Sequence, residues 1–112
     1  MNETQAIGCL AALAQATRLD TFRLLVQHEP NGLPAGEIAR RIDVPQNTMS
    51  AHLAILARAG LVTAERQSRS IIYRASLDTL RAITMFLAKD CCGGRPELCS
   101  PLADELLACR AA

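Results

Sequence analysis

The stretch from residue 44 to residue 62, VPQNTMSAHLAILARAGLV, constrains the fold more than any other part of the chain. Its apolar residues recur at the spacing of a helix face: Met49, Leu53 and Leu56, with Ile55 beside them. Pro45 lies where a helix would begin, a position at which its missing N–H costs nothing. Gly60 follows the last periodic residue, where a left-handed C-terminal cap is common. We therefore predict an amphipathic helix that packs on a core through this stripe.

The opposite side of this predicted helix is rich in small hydrogen-bonding side chains: Gln46, Asn47, Thr48, Ser50 and His52. Such a helix can lie in the major groove of DNA, because polar side chains near its N-terminus reach base edges and its terminal amides face phosphates. Alone, the pattern also fits an ordinary amphipathic surface helix. The flanking sequence has to decide between the two.

The flanking sequence predicts a helix-turn-helix followed by a hairpin. Residues 34–42 predict a short helix that Asp43-Val44 joins directly to the helix above, and two helices with so brief a connection form a helix-turn-helix pattern. Two β-prone runs follow at residues 62–66 and 70–75, around Gln67-Ser68-Arg69. They predict a β-hairpin, although its tip lacks the glycine expected of tight turns.

Three further helices complete the expected fold. The first runs from Glu3 to about Ala14, and the second opens with the capping-box pattern Thr17-Arg18-Leu19-Asp20. The last long helix spans residues 78–90, and one side of it carries Leu80, Ile83, Thr84 and Leu87. The apolar surfaces of the first and last helices exceed what one small core can cover. We therefore predict a homodimer formed through residues 3–14 and 78–90, in a fold that is mainly α with a β-hairpin.

Positive charge is concentrated in the middle of the chain. The whole chain carries +1, but residues 40–74 carry +4 from six arginines against Asp43 and Glu65. This segment contains the candidate groove helix and the hairpin, so its charge suits contact with phosphates. Arg66 and Arg69 lie on the hairpin and are the arginines that we expect to contact DNA.

Size and composition predict one cytoplasmic domain. The 112 residues are enough for a modest core and too few for two domains. No apolar run approaches the roughly 18 residues that a membrane span needs, so we expect no membrane association. Residues 1–5 also lack the basic region and apolar block of a signal peptide.

The order helix, helix-turn-helix, hairpin, helix is that of a winged helix, and residues 50–62 with Ile72-Tyr73-Arg74 resemble the ArsR/SmtB family of metalloregulatory repressors. The likeness covers about residues 8 to 90 and includes S-x-H-L-x-x-L, A-G-L-V and a wing that ends in Tyr73. It implies a homodimer that binds operator double-stranded DNA and leaves when an inducer binds. We accordingly expect a DNA-binding and dimerisation domain at residues 1–90, with Tyr73 among the DNA contacts, and a C-terminal tail at residues 91–112.

Both familiar inducer sites of that family are missing from this sequence. The arsenic site in the third helix uses a Cys-Val-Cys motif, and the corresponding residues 33–38 contain no cysteine. The zinc-type site on the last helix uses Asp and His ligands, whereas the chain's histidines are His28 and His52. An inducer must therefore bind elsewhere, if one binds at all.

A cysteine cluster after the last long helix is the candidate replacement: Cys91, Cys92 and Cys99. In one straight helix Cys99 would lie about 12 Å along the axis from Cys91, too far to share an ion. Gly93-Gly94 and Pro96 interrupt a helix there, so the spacing permits a three-thiolate pocket. Thiolates select thiophilic metals. A subset of the ArsR family is similar in carrying a C-terminal vicinal cysteine pair plus a third cysteine, which implies arsenite, As(III), as inducer, or Sb(III).

Other roles for the five cysteines stay open. Cys109 could add a fourth thiolate and favour zinc, cadmium or lead, and the cluster could instead sense thiol redox state. Cys9, on the first helix, is expected to be a small core residue. An enzyme is not expected: no cysteine is followed six residues later by the arginine of a phosphatase-like loop, and there is no Cys-x-x-Cys motif.

Overall fold

A computed structural model describes residues 1–90, 101, 102, 104 and 105 of the chain. The helices are α1 (Glu3–Leu13), α2 (Ala16–Gln27), α3 (Ala35–Ile42), α4 (Gln46–Arg58) and α5 (Leu77–Met85), and a π-helical turn at Phe86–Asp90 continues α5. The strands are β1 (Leu33–Pro34), β2 (Val62–Gln67) and β3 (Ser70–Ala75). The predicted winged helix-turn-helix is confirmed. The proposed division at residue 90 is not tested and stays a prediction.

The predicted apolar stripe of α4 forms the centre of the core. Met49, Leu53 and Leu56 are fully buried, together with Leu25 of α2 and Ile38 of α3. Ile55 was expected beside the stripe but is 37% exposed. At 3.6 residues per turn it lies about 100° or more around the helix from each stripe residue, which places it outside the buried face.

The wing is a small antiparallel sheet in the order β1-β3-β2. Val62 of β2 pairs with Ala75 of β3, and the ladder continues to Gln67 opposite Ser70. The predicted hairpin is therefore correct, and its two-residue tip contains Ser68 at a φ of 60°. The edge strand β1 was not predicted, because two residues that include a proline give no strand pattern.

The predicted capping box at residues 17–20 is wrong. Helix α2 begins at Ala16, and the Gln15 side chain caps it by accepting the Arg18 amide at 2.9 Å. Thr17 is already the second residue of α2. Its carbonyl accepts a hydrogen bond from the Thr21 hydroxyl at 2.7 Å. The link from α1 is so short that α2 starts before the pattern predicted.

Helices α1 and α5 divide their apolar residues between the core and the outer surface. Ala6, Cys9 and Ala12 bury α1 against the core, whereas Ile7 is 58% exposed. Cys9 is thus a core residue, as expected; its thiol donates to the Ala59 carbonyl at 3.3 Å, and burial raises its pKa. On α5, Ile83 is buried.

Candidate DNA-binding surface

A tight turn sets the position of α4 relative to α3. Asp43 ends α3 in the left-handed conformation, with φ at 65° and ψ at 51°, which Asp tolerates better than most residues. The Val44 amide then donates to the Ala39 carbonyl at 3.1 Å. Pro45 is the N-terminal flanking residue of α4 and offers no side-chain cap. Within the described residues, the Gln46 and Asn47 amides at the start of α4 are therefore available to an anion.

Four of the five predicted polar residues on α4 are exposed: Gln46, Asn47, Thr48 and Ser50. Asn47 accepts the Thr48 amide at 2.9 Å through its side-chain oxygen, which orders the first turn. The Gln46 side chain reaches the first turn of α3. Its Oε1 would lie 3.8 Å from a Cβ added at Gly36, which is an ordinary van der Waals distance. These four side chains are thus exposed along the first turns of α4, where they extend around about half of the helix.

The fifth predicted residue, His52, is only partly exposed and has a partner that sequence reasoning missed. Its Nδ1 lies 3.4 Å from Nη1 of Arg18, and the Nε of Arg18 donates to the Ala12 carbonyl at 2.6 Å. Arg18 therefore connects the end of α1 to α4. No local sequence pattern predicts a contact between residues 34 positions apart. The capping-box interpretation treated Arg18 only as part of a helix start.

The wing presents two arginines without acidic partners. Arg66 and Arg69 are exposed at the far end of the hairpin and, among the residues that the structure describes, neither makes an ion pair. Arg74 differs, since its guanidinium lies 3.7 Å from Glu29 and 3.8 Å from Glu65. The basic surface at the wing is accordingly concentrated at its tip.

Tyr73 lies nearer the base of the wing than Arg66 and Arg69. It lies in the middle of β3, opposite Leu33 of β1 and Ala64 of β2, and packs partly buried against the core. Its ring helps to fix the base of the wing on the domain. Its assignment as a DNA contact remains a prediction.

Much of the positive charge on α3 is neutralised locally. Glu37 forms ion pairs with Arg40 and, at 2.8 Å, with Arg41. Hydrogen bonds from Arg40 and then Arg41 lower the pKa of Glu37 to about 2. Arg41 also lies 3.1 Å from Nε2 of His28. The α3 arginines therefore add less to the attraction for phosphates than their number indicates.

The predicted inducer ligands Cys91, Cys92 and Cys99, like Cys109, lie outside the described residues. In the described part of the chain, no three Cys, His, Asp or Glu side chains come close enough to hold a metal ion. None of the helices described there has the length and apolar content that a membrane crossing requires.

Comparisons with known proteins agree with this geometry. A helix-turn-helix domain family matches residues 13–65. The transcriptional activator HlyU of Vibrio cholerae is 31% identical over 91 residues, which cover 81% of this chain and 82% of that protein. The transcriptional repressor SmtB of Mycobacterium tuberculosis is 37% identical over 65 residues, which cover 58% of this chain and 46% of that protein.

This chain belongs to the ArsR/SmtB family. A solved homodimeric winged helix-turn-helix DNA-binding domain from Mycobacterium bovis, described as a possible ArsR-family regulator, superposes with a TM-score of 0.65 at 28% identity. That alignment covers 93% of this chain and 82% of the other. The resemblance seen in the sequence is confirmed: the protein is a transcriptional regulator of the ArsR/SmtB family and not an enzyme.

Proposed function

We propose that this ArsR/SmtB regulator is a homodimeric repressor that binds operator DNA through α4 and the wing and leaves the DNA when As(III) or Sb(III) binds Cys91, Cys92 and Cys99. The observation that carries the DNA-binding part is the set of exposed polar side chains at the start of α4, together with Arg66 and Arg69 of the wing tip, which form no ion pair within the described residues. Small polar side chains read base edges, while arginines and helix amides hold phosphates.

A second copy of this chain is the proposed partner at the outer surface of α1 and α5. Ile7 and Leu10 of α1 and Met85 and Leu87 of the last helical segment are large apolar residues with exposed side chains. An apolar surface of this kind marks an interaction site in a small protein. The Mycobacterium bovis domain is described as homodimeric, which supports a homodimer here as well. Two α4 helices related by a twofold axis would read half-sites about one helical turn apart, or a multiple of it.

The inducer is proposed from the donor chemistry of the tail. Three thiolates suit a soft ion with three ligands. Cys9 is left out of the proposed site, because its buried thiol, with its raised pKa, is a poor ligand.

A physical route connects the tail to α4. The tail follows α5, and the start of α5 is tied to the end of α4: the Thr79 hydroxyl donates to the Gly60 carbonyl at 2.7 Å and the Ser76 amide donates to the Leu61 carbonyl at 2.8 Å. An ion that repositions the tail against α5 can therefore change the orientation of α4 within the dimer. By linkage, DNA must weaken inducer binding by the same factor.

The direct test measures binding of the reduced protein to labelled duplexes from DNA upstream of its gene. We expect a preferred sequence, and Arg69→Ala should weaken binding to all duplexes, lowering the slope of log affinity against log salt by roughly one. Gln46→Ala should instead reduce the preference for the operator, by about 1–3 kcal/mol for a good base contact. Absence of any sequence preference, in wild-type protein shown to be folded, would count against the proposal.

A further inference from the structure

The contact between Arg18 and His52 indicates which ring nitrogen of His52 accepts a hydrogen bond. A guanidinium carries five N–H donors and no acceptor, and it stays protonated in proteins. Its Nη1 lies 3.4 Å from Nδ1 of His52, so this ring nitrogen has to be the acceptor. The tautomer that makes this hydrogen bond carries its proton on Nε2.

Arg18 is itself held in place. Its Nε donates at 2.6 Å to the Ala12 carbonyl in the last turn of α1, a turn whose carbonyls lack helical partners. The side chain is partly buried between α1 and α4. It therefore approaches His52 from a fixed direction.

The His52 side chain is partly exposed, so its ring can be reached from outside the protein. Thr48 and Ile55 lie about one turn to either side of His52 on α4, and both are exposed. Nε2 points away from Arg18 because the two ring nitrogens direct their bonds to different sides of the imidazole. A ligand at this edge of the ring would therefore accept a hydrogen bond from the Nε2–H of His52.

We propose that Arg18 is a positioning residue that fixes the tautomer of His52, so that His52 enters the DNA complex as an Nε2–H donor to a hydrogen-bond acceptor on the duplex. This inference rests on the proposed DNA binding. The acceptor is a phosphate oxygen or a base acceptor such as guanine N7 or O6, and the amino groups of cytosine and adenine are excluded.

The same reasoning assigns the opposite tautomer to the other histidine. Nη1 of Arg41 lies 3.1 Å from Nε2 of His28, so Nε2 is the acceptor there and the proton is on Nδ1. The chain has two histidines, so each one serves as the internal control for the other.

The first test is imidazole ¹⁵N NMR of the free protein, under conditions in which both rings are neutral. We expect His52 as the Nε2–H form and His28 as the Nδ1–H form. Arg18→Met should turn His52 into a mixture of tautomers and leave His28 unchanged, and Arg41→Met should do the reverse. An unchanged His52 spectrum in a folded Arg18→Met protein would overturn the inference.

The second test uses DNA binding and two variants of His52 itself. The Gln amide nitrogen reaches the position of Nε2, whereas the Asn amide nitrogen reaches only that of Nδ1. We expect His52→Gln to keep most of the operator affinity, His52→Asn to lose it on the order of tenfold, and Arg18→Met to add no further loss to His52→Asn. Equal losses in the Gln and Asn variants would contradict the donor role.

The pattern of losses identifies the acceptor. A loss shared by operator and unrelated duplexes assigns a phosphate, and a loss confined to the operator assigns a base edge. The tautomer is measured without DNA. A wild-type protein that binds no duplex would therefore refute the proposed function, while the NMR result would still test the Arg18 contact separately.

Discussion

Replacing Thr79 by Val should weaken the coupling between the tail and α4 while leaving both binding sites in place. The Thr79 hydroxyl donates to the Gly60 carbonyl at 2.7 Å and lies 3.0 Å from the Ser76 hydroxyl, a contact within the first turn of α5. Valine has the same shape without the hydroxyl, so it loses both contacts. The contact with Gly60 is exposed, so water can satisfy the released carbonyl, and the free energy of unfolding should fall by only about 1 kcal/mol.

The substitution should remove a larger fraction of the allosteric coupling free energy than of the free energy of unfolding. Two hydrogen bonds connect the start of α5 to the end of α4. The Thr79 side chain donates to the Gly60 carbonyl, and the Ser76 backbone amide donates to the Leu61 carbonyl. An allosteric coupling is typically about 1–3 kcal/mol. If the two bonds transmit it equally, removing one costs roughly 0.5–1.5 kcal/mol, a decrease of about two- to tenfold in the change of DNA affinity that arsenite causes.

Fluorescence anisotropy of a labelled operator duplex, with and without arsenite, measures that change. Thr84→Val is the matched control, because the Thr84 hydroxyl donates to the Leu80 carbonyl at 2.8 Å within the same helix and, in the described part of the chain, forms no hydrogen bond with α4. We expect Thr84→Val to respond to arsenite as the wild type does. If Thr79→Val also released DNA to the wild-type extent, the proposed route through α5 would be refuted.

Further predictions test the core, the surface charge and the assembly. Leu53→Ala, at a fully buried position, should lower the free energy of unfolding by about 2–5 kcal/mol in urea denaturation, while Ile55→Ala should cost far less; similar losses would refute the assigned faces of α4. The folded-state pKa of Glu37 lies at about 2, below its usual 4.5, so this carboxylate stabilises the fold above pH 4.5 and loses that contribution as the pH falls towards 2. Glu37→Gln should flatten stability against pH in this window, and an unchanged acid limb in chemical denaturation would show that the ion pairs contribute nothing. Ile7→Asp should give folded monomers in sedimentation, because an unpaired carboxylate would be buried in the interface; a dimer in that variant would exclude α1 from it.

Residue periodicity predicted the parts of the fold that depend on local pattern. The stripe of Met49, Leu53 and Leu56 was identified because burial on one helix face repeats with the turn of the helix. The hairpin followed from two short β-prone runs in the same way. These features needed no knowledge of which elements meet in space.

Tertiary contacts account for what the sequence did not predict. Gln15 caps α2 although Gln is not among the preferred capping residues. Thr17 is of a preferred capping type, but it lies inside the helix rather than at its N-cap. The approach of Arg18 to His52 joins residues that only the packing of α2 on α4 brings together. The same applies to Arg74, whose charge was counted towards DNA binding but lies between two carboxylates.

The central claim concerns release of DNA through the three thiols of the tail. The most direct measurement is arsenite titration of the reduced protein bound to labelled operator, followed by anisotropy, for the wild type and for single serine variants. We expect Cys91→Ser, Cys92→Ser and Cys99→Ser to bind the operator and fail to release it, while Cys9→Ser and Cys109→Ser release it as the wild type does. Normal release by Cys92→Ser together with loss of release in Cys109→Ser would contradict the assigned site. Release by zinc or cadmium but not by arsenite would contradict the assigned inducer.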